Sequence, residues 1–247
     1  MIKNRQIVFS LLGIFAALTM ATEVSADKAF DKKVENYLMQ NPDVLARALD
    51  NLQDYYAIED AKRQRRAVLD NANELYSSNS DFTLGPKNAS VTIVEFFDYN
   101  CGYCKRMYPL LMKIVEENKD VRVVFKEFPI LGEISRIAAS YALALDGQLK
   151  FLTYHSKLMG SRSSLNPTLL ERTLSEIGAD VEAVKSRAAD DNIAKTIDRT
   201  QALAGALGIN GTPAFVINGK IHPGALSEDQ LRELVAEARG PKNKSAN

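Results

Sequence analysis

Apolar positions in this chain recur with two periods, and the points where the period changes mark its elements. From Ala29 to about Tyr76 the spacing is helical, with an interruption at Asn41-Pro42, where Asn41 can cap a helix and Pro42 can take its first position. This predicts a short helix followed by a long one. The long one carries Leu45, Leu49, Leu52 and Tyr56 at alternating spacings of four and three, a stripe that fades into the charged run Glu59 to Arg66. Such a stripe is too short for a long coiled coil. It suits a helix packed on the main body or an arm through which copies associate; we read it as an arm, because it stands apart from the region that carries the chemistry.

A polar break at Ser77 to Ser80 ends the helical pattern. Ser90-Val91-Thr92-Ile93-Val94-Glu95-Phe96-Phe97 is then a β-branched and aromatic run of the kind that forms a buried central strand. Met107, Leu110, Leu111, Ile114 and Val115 return to helical spacing, and Val121 to Phe125 reads as a second strand. Strand, helix, strand in this order predicts a parallel crossover. From about Gly132 to Leu207 the chain is almost wholly helical, with Asn166-Pro167 as a start signal and Gly178 and Gly208 as stops. A block this long between strands is an inserted helical subdomain. Strand character resumes at Ala214 to Ile217, Asn218-Gly219 signals a tight hairpin before Lys220-Ile221, and a last helix spans Ser227 to Arg239, with Ser227 and Gln230 placed for a capping box.

The ends differ from this body. Lys3 and Arg5, the apolar run Ile7 to Met20 and the small residues Val24-Ser25-Ala26 make residues 1–26 a secretory signal peptide cut before Asp27. The apolar run is shorter than the ~20 residues a spanning helix needs, and an uncleaved anchor is the alternative. The tail from Pro241 is expected to be disordered. The expected organisation is therefore signal peptide 1–26, helical oligomerisation arm 27–80, main domain 81–240 with its insertion at about 132–208, and tail 241–247. Lysine plus arginine balance aspartate plus glutamate at 31 each, so no basic field recruits nucleic acid.

The chain has two cysteines, Cys101 and Cys104, separated by Gly102-Tyr103. A bridge between them closes too small a loop to staple a fold, so the pair is better read as chemistry. Placed at the start of a helix, Cys101 faces unpaired N–H groups and the positive end of the helix dipole, which favour the thiolate; its pKa is expected in the range ~3.5–7.5. Cys101 is the nucleophile. Cys104, one turn on, is the resolving cysteine that attacks a mixed disulfide and releases the substrate. A zinc site would need further ligands, and His155 and His222 are single and far apart in sequence, so each reads as a packing or surface residue and no metal or other cofactor is called for.

Glu95 to Cys104, followed by Pro109 and by Gly211-Thr212-Pro213, resembles the DsbA family of disulfide proteins over roughly Phe82 to Gly240. The resemblance implies an α/β thioredoxin fold with an inserted all-helical subdomain, here extended by the N-terminal helical arm. It implies that Pro109 lies inside the active-site helix, that Thr212 and Pro213 form a cis-proline loop beside the cysteines, and that Gly102 and Tyr103 meet substrate. It also implies that Glu95 is a buried acid beneath the nucleophile and that Lys126 is its partner. A charge inside an apolar strand is costly unless paired, so Glu95 needs a reason such as proton handling during exchange. The alternative places Glu95 on a solvated edge and Lys126 on the surface.

Gly-Tyr between the cysteines and threonine before the proline resemble the isomerase type within this superfamily, whose members form dimers or trimers through N-terminal segments. The expected activity is isomerisation or reduction of disulfides in misfolded or reduced exported proteins, in the periplasm or cell envelope, by a homo-oligomer served by a membrane redox partner. The alternatives are an oxidase that introduces disulfides, an outer-membrane-associated surface antigen, and a holdase chaperone.

Overall fold

The computed structural model describes residues 28–240, so the expected signal peptide, its cleavage point before Asp27 and the tail from Pro241 lie outside the described residues. The chain divides into two units, Met1–Tyr55 and Tyr56–Asn247. In the first, α1 (Lys28–Gln40) is followed by the opening half of α2 (Pro42–Asp70). Asn41 separates them, but its side-chain amide donates backward to the Tyr37 carbonyl at 2.7 Å, so it closes the end of α1. No residue of α1 is buried, and Val34, Met39, Leu45, Leu49 and Leu52 are all exposed.

The second unit begins within α2. Val68 near the end of α2 and Leu75 in α3 (Ala72–Ser77) are buried in its core, so the segment expected as an arm over 27–80 contributes its last part to the main body. Five strands follow: β1 (Phe82–Leu84), β2 (Val91–Phe97), β3 (Val121–Glu127), β4 (Ala214–Ile217) and β5 (Lys220–Pro223), in the spatial order β1-β3-β2-β4-β5. β2 and β3 are parallel and joined by α4 (Gly102–Glu117), as the crossover pattern predicts; the other pairings are antiparallel. β1 is too short to show a period and was not expected from the sequence.

Alternation along the strands divides the core in two. Val91, Ile93 and Phe97 of β2 join Val121, Val123 and Phe125 of β3 under α4, whose Cys104, Met107, Leu111 and Ile114 are buried at helical spacing. Val94, Phe96 and Val124 face the other way, toward Val68 and Leu75. Burying one such large apolar side chain contributes roughly 1.5–3 kcal/mol, and both faces of β2 gain it, which is why the strand reads as an unbroken apolar run.

Between β3 and β4 lie α5 (Glu133–Leu143), α6 (Gln148–Gly160), α7 (Pro167–Glu176), α8 (Val181–Ala188) and α9 (Asp191–Ala206). Asn166 caps α7 by accepting from Leu169 N–H, Pro167 occupies its first position, and Gly178 and Gly208 adopt positive φ just past α7 and α9. The insertion is not one packed block, since Leu203 and Ala204 near the end of α9 pack with the core on the face opposite α4. Asn218 and Gly219 both have positive φ in the β4–β5 hairpin, and Ser227 and Gln230 form the capping box of α10 (Glu228–Ala238).

Candidate active site

At the end of β2 the chain is fixed by Asp98. Its buried carboxylate accepts from the backbone N–H groups of Asn100 at 2.7 Å, Ile130 at 2.8 Å and Leu131 at 2.9 Å, while its carbonyl accepts from Cys101 N–H at 3.0 Å. Cys101 is thereby delivered to the N-cap of α4, where its sulfur accepts from Cys104 N–H at 3.5 Å. The nucleophile takes the place of an ordinary capping side chain. α4 continues through Pro109 to Glu117, as the resemblance implied.

Both cysteines are free thiols, Cys101 with 5% of its surface exposed and Cys104 with none. The Thr212-Pro213 peptide is cis, and the Cys101 thiol donates to the Thr212 carbonyl at 3.2 Å. The pKa of Cys101 is lowered to about 5, chiefly by the hydrogen bond from the Cys104 side chain, with the hydrogen bond from the Thr212 side chain and those from the backbone N–H groups of Cys104 and Tyr103 acting in the same direction against desolvation. Cys104 is pushed far up by burial, then by its bond to Cys101 and the charge of Glu95. One sulfur is thus favoured as the thiolate near neutral pH, and the other stays a thiol until a base takes its proton.

Glu95 is the buried acid whose charge acts on both cysteines. It is fully enclosed, its Oε1 has no hydrogen-bond partner, and burial followed by the charge of Cys101 raises it to about 8. A carboxyl held in that range can give or take a proton near neutrality. The solvated-edge alternative is excluded, because β2 is paired on both sides.

Lys126 corrects the sequence expectation in two ways: it is neither the partner of Glu95 nor a surface residue. In the parallel register Glu95 lies opposite Phe125 and Phe96 opposite Lys126, so Lys126 projects to the other face of the sheet. There it is buried and donates to the Asp81 carboxylate and to the Glu74 carbonyl.

The residue that does share the face of Glu95 is Glu127, which sequence analysis passed over. It is buried and raised well above the usual carboxylate range by burial, despite accepting from the Tyr99 hydroxyl at 3.1 Å; the charges of Asp98 and Glu95 raise it further. His155 Nδ1 lies 3.3 Å from the same hydroxyl, and burial lowers its pKa to about 3, so the imidazole is neutral. Packed among the rings of Phe97, Phe125 and Phe151, His155 is the packing residue expected, with one polar contact added. A usable signal for Glu127 was present: continuing the strand two residues past Phe125 keeps the same parity. Gly102 and Tyr103 are exposed at the head of α4, with the Arg106 guanidinium 4.1 Å from the Tyr103 ring centre.

With this geometry in hand, comparison with known proteins is specific. Residues 92–236 match the family model of DSBA-like thioredoxin domains. The chain is similar to the Na(+)/H(+) antiporter NhaA 3 of Salinispora tropica, 29% identical over 160 residues, which are 64% of this chain but only 24% of that protein's length. Against disulfide bond formation protein D of Bacillus subtilis it is 26% identical over 164 residues, 62% of this chain and 74% of that one. Among solved structures, the catalytic domain of Proteus mirabilis ScsC superposes with a TM-score of 0.66 at 36% identity, covering 72% of this chain and 99% of that domain. ScsC in a compact conformation, at 33% identity and a TM-score of 0.65, extends the coverage to 87% of this chain and 98% of that one.

Proposed function

The chain belongs to the DSBA-like thioredoxin-domain family of thiol–disulfide oxidoreductases, and from that premise we propose that it acts outside the cytoplasm as an oligomeric disulfide isomerase or reductase. The Cys101 thiolate attacks one sulfur of a wrong substrate disulfide; that S–S bond breaks, a mixed disulfide forms and the other substrate sulfur leaves as a thiolate. In isomerisation, a substrate thiolate then attacks the substrate sulfur of the mixed disulfide, a new substrate disulfide forms and Cys101 leaves, with no net redox change. In reduction, Cys104 loses its proton and attacks the Cys101 sulfur, the substrate departs as a thiolate that takes up a proton, and a membrane dithiol partner must later reduce the pair. Glu95 is the group we assign to move the Cys104 proton.

The observation that carries the oligomeric isomerase reading is the first unit, where Val34, Met39, Leu45, Leu49 and Leu52 sit on helices yet remain exposed. Apolar side chains at helical spacing seek a covering surface, and a second copy of the same stripe supplies one. Thr212 before the cis-proline adds to it by its likeness to the isomerase type. The signal-peptide pattern at residues 1–26 supports export, as does similarity at 32% identity to a periplasmic thioredoxin-like protein of Salmonella enterica serovar Typhimurium. The lowered Cys101 pKa favours a second reading, because stabilising the thiolate stabilises the reduced pair and makes its disulfide an oxidant, which suits an enzyme that introduces disulfides.

Reactivation of scrambled ribonuclease by the chain from Asp27 and by one starting at Tyr56 separates the two, with light scattering run on both. We expect the longer chain to be oligomeric and to isomerise, and the shorter to be monomeric with isomerisation largely lost. Failure to isomerise, with rapid oxidation of reduced ribonuclease by both chains, would replace this reading with the oxidase.

A further inference from the structure

Two clefts open at the active-site loop, and their charges differ. Thr212 and Pro213 border one of about 580 Å³, in which the carboxylate of Asp60 is paired with Arg63 of the same helix. Asn100 and Gly102, flanking the nucleophile, border a second of about 790 Å³ between the first turns of α4 and the Ser161 to Ser164 loop that joins α6 to α7. Lys105, Arg106 and Arg162 line this second cleft, no aspartate or glutamate lines it, and among the described residues none of the three cations has a salt-bridge partner. Lys105 donates to the Ser161 carbonyl at 3.1 Å and so ties the two walls together. Arg106 is oriented by the exposed Tyr103 ring beneath it.

We propose that this cationic cleft is a substrate subsite that takes aspartate and glutamate side chains flanking the disulfide, so that the chain acts preferentially on acidic polypeptide segments. The inference rests on the redox reading above for the bond that reacts, and on the cleft alone for the side chains that bind. A substrate joined to Cys101 continues past Gly102 or Asn100, and there it meets three positive charges and none of opposite sign. Net charge on the whole chain is zero, so such attraction is local to the cleft and not a general property of the surface. Partly solvated pairs of this kind are individually weak and salt-sensitive, and they act on partner choice and encounter rate more than on tight binding.

The test uses the reduced full chain and synthetic peptides of matched length carrying one disulfide-linked chromophore, with acidic, neutral or basic flanks. Second-order rates of chromophore release are measured, and in parallel the binding of fluorescent analogues with serine in place of cysteine. We expect acidic flanks to be attacked and bound roughly three- to tenfold better than neutral ones, with basic flanks poorest. The preference should shrink toward unity in about 0.5 M salt and in the double variant Arg106→Ala/Arg162→Ala. Equal rates and equal binding for acidic and neutral peptides, or a preference that survives the double variant, would overturn the proposal. Exchange absent on every peptide, with acidic analogues still bound best, would remove the redox reading and leave the subsite standing.

Discussion

On the face of β2 and β3 turned away from α4, Lys126 is enclosed among apolar side chains, and its ammonium has both the Asp81 carboxylate and the Glu74 carbonyl to receive its protons. On the face toward α4, Glu95 and Glu127 are enclosed as completely, together with the neutral His155; Glu95 Oε1 and His155 Nε2 have no partner. One sheet thus buries charge in two ways. Where the partners are complete, burial fixes structure: burial pushes Asp81 up to about 6, yet at neutral pH it remains the counter-ion that Lys126 needs. Where they are incomplete, burial holds a carboxyl in its protonated form, and the retained proton becomes available to chemistry.

The sharpest way to break this contrast is to remove one member of the complete set. Lys126→Met should lower unfolding stability by about 3–5 kcal/mol, since Asp81 is left enclosed without a counter-charge, and Lys126→Met/Asp81→Leu should restore most of the loss. Urea unfolding measures both. The ultraviolet titration of the Cys101 thiolate should stay where it is in the native chain; movement would mean that the two faces are coupled.

An effect of similar total size, spread over pH, is expected from Glu95→Gln. Glu95 titrates near 8 in the folded chain against 4.5 when unfolded, so between these values the folded state holds the extra proton. Its contribution to stability is complete below pH 4.5, falls by about 1.4 kcal/mol per pH unit as pH rises through that window, and is level above 8. Relative to the native chain, Glu95→Gln should therefore gain about that much per unit between the two limits. A constant difference between the two proteins from pH 4.5 to 8 would show that Glu95 is ionised in the folded chain as it is in the unfolded one. The same variant should slow release of a Cys101-linked substrate by Cys104 more than it slows the first attack.

The smallest of the three comes from Tyr99→Phe, which deletes the hydroxyl shared by Glu127 and His155 and leaves both enclosed without it. A loss of about 1–3 kcal/mol is expected, measured by thermal unfolding. A loss near zero would mean that neither group depends on the hydroxyl.

Much of the site could be seen in the residues alone because it is local. Cys101 and Cys104 lie one helical turn apart at a helix start, and that placement needs no knowledge of what lies across the molecule. The cis peptide at Thr212-Pro213 came only through family likeness, and its contact with Cys101 spans a separation that no local pattern records. The pairing of Lys126 with Glu95, which the resemblance implies, fails for a different reason: parallel register and alternation put Lys126 on the face of Phe96 and put Glu127 on the face of Glu95. Likewise, α9 reads as one more helix of the insertion, but its apolar residues Leu203 and Ala204 belong to a core assembled by α2 and α3 from far upstream.

Asp98 has a mechanical consequence. Its two oxygens hold the loop that presents Cys101 and the loop by which the chain leaves β3 for the helical insertion, three N–H groups on one buried side chain. The loop that presents Cys101 and the entrance to the insertion are thus tied through one side chain, besides the bond from Phe128 N–H to the Phe97 carbonyl just before them. Loss of that one carboxylate would therefore free two loops at once, the one that carries Cys101 and the one that opens the insertion.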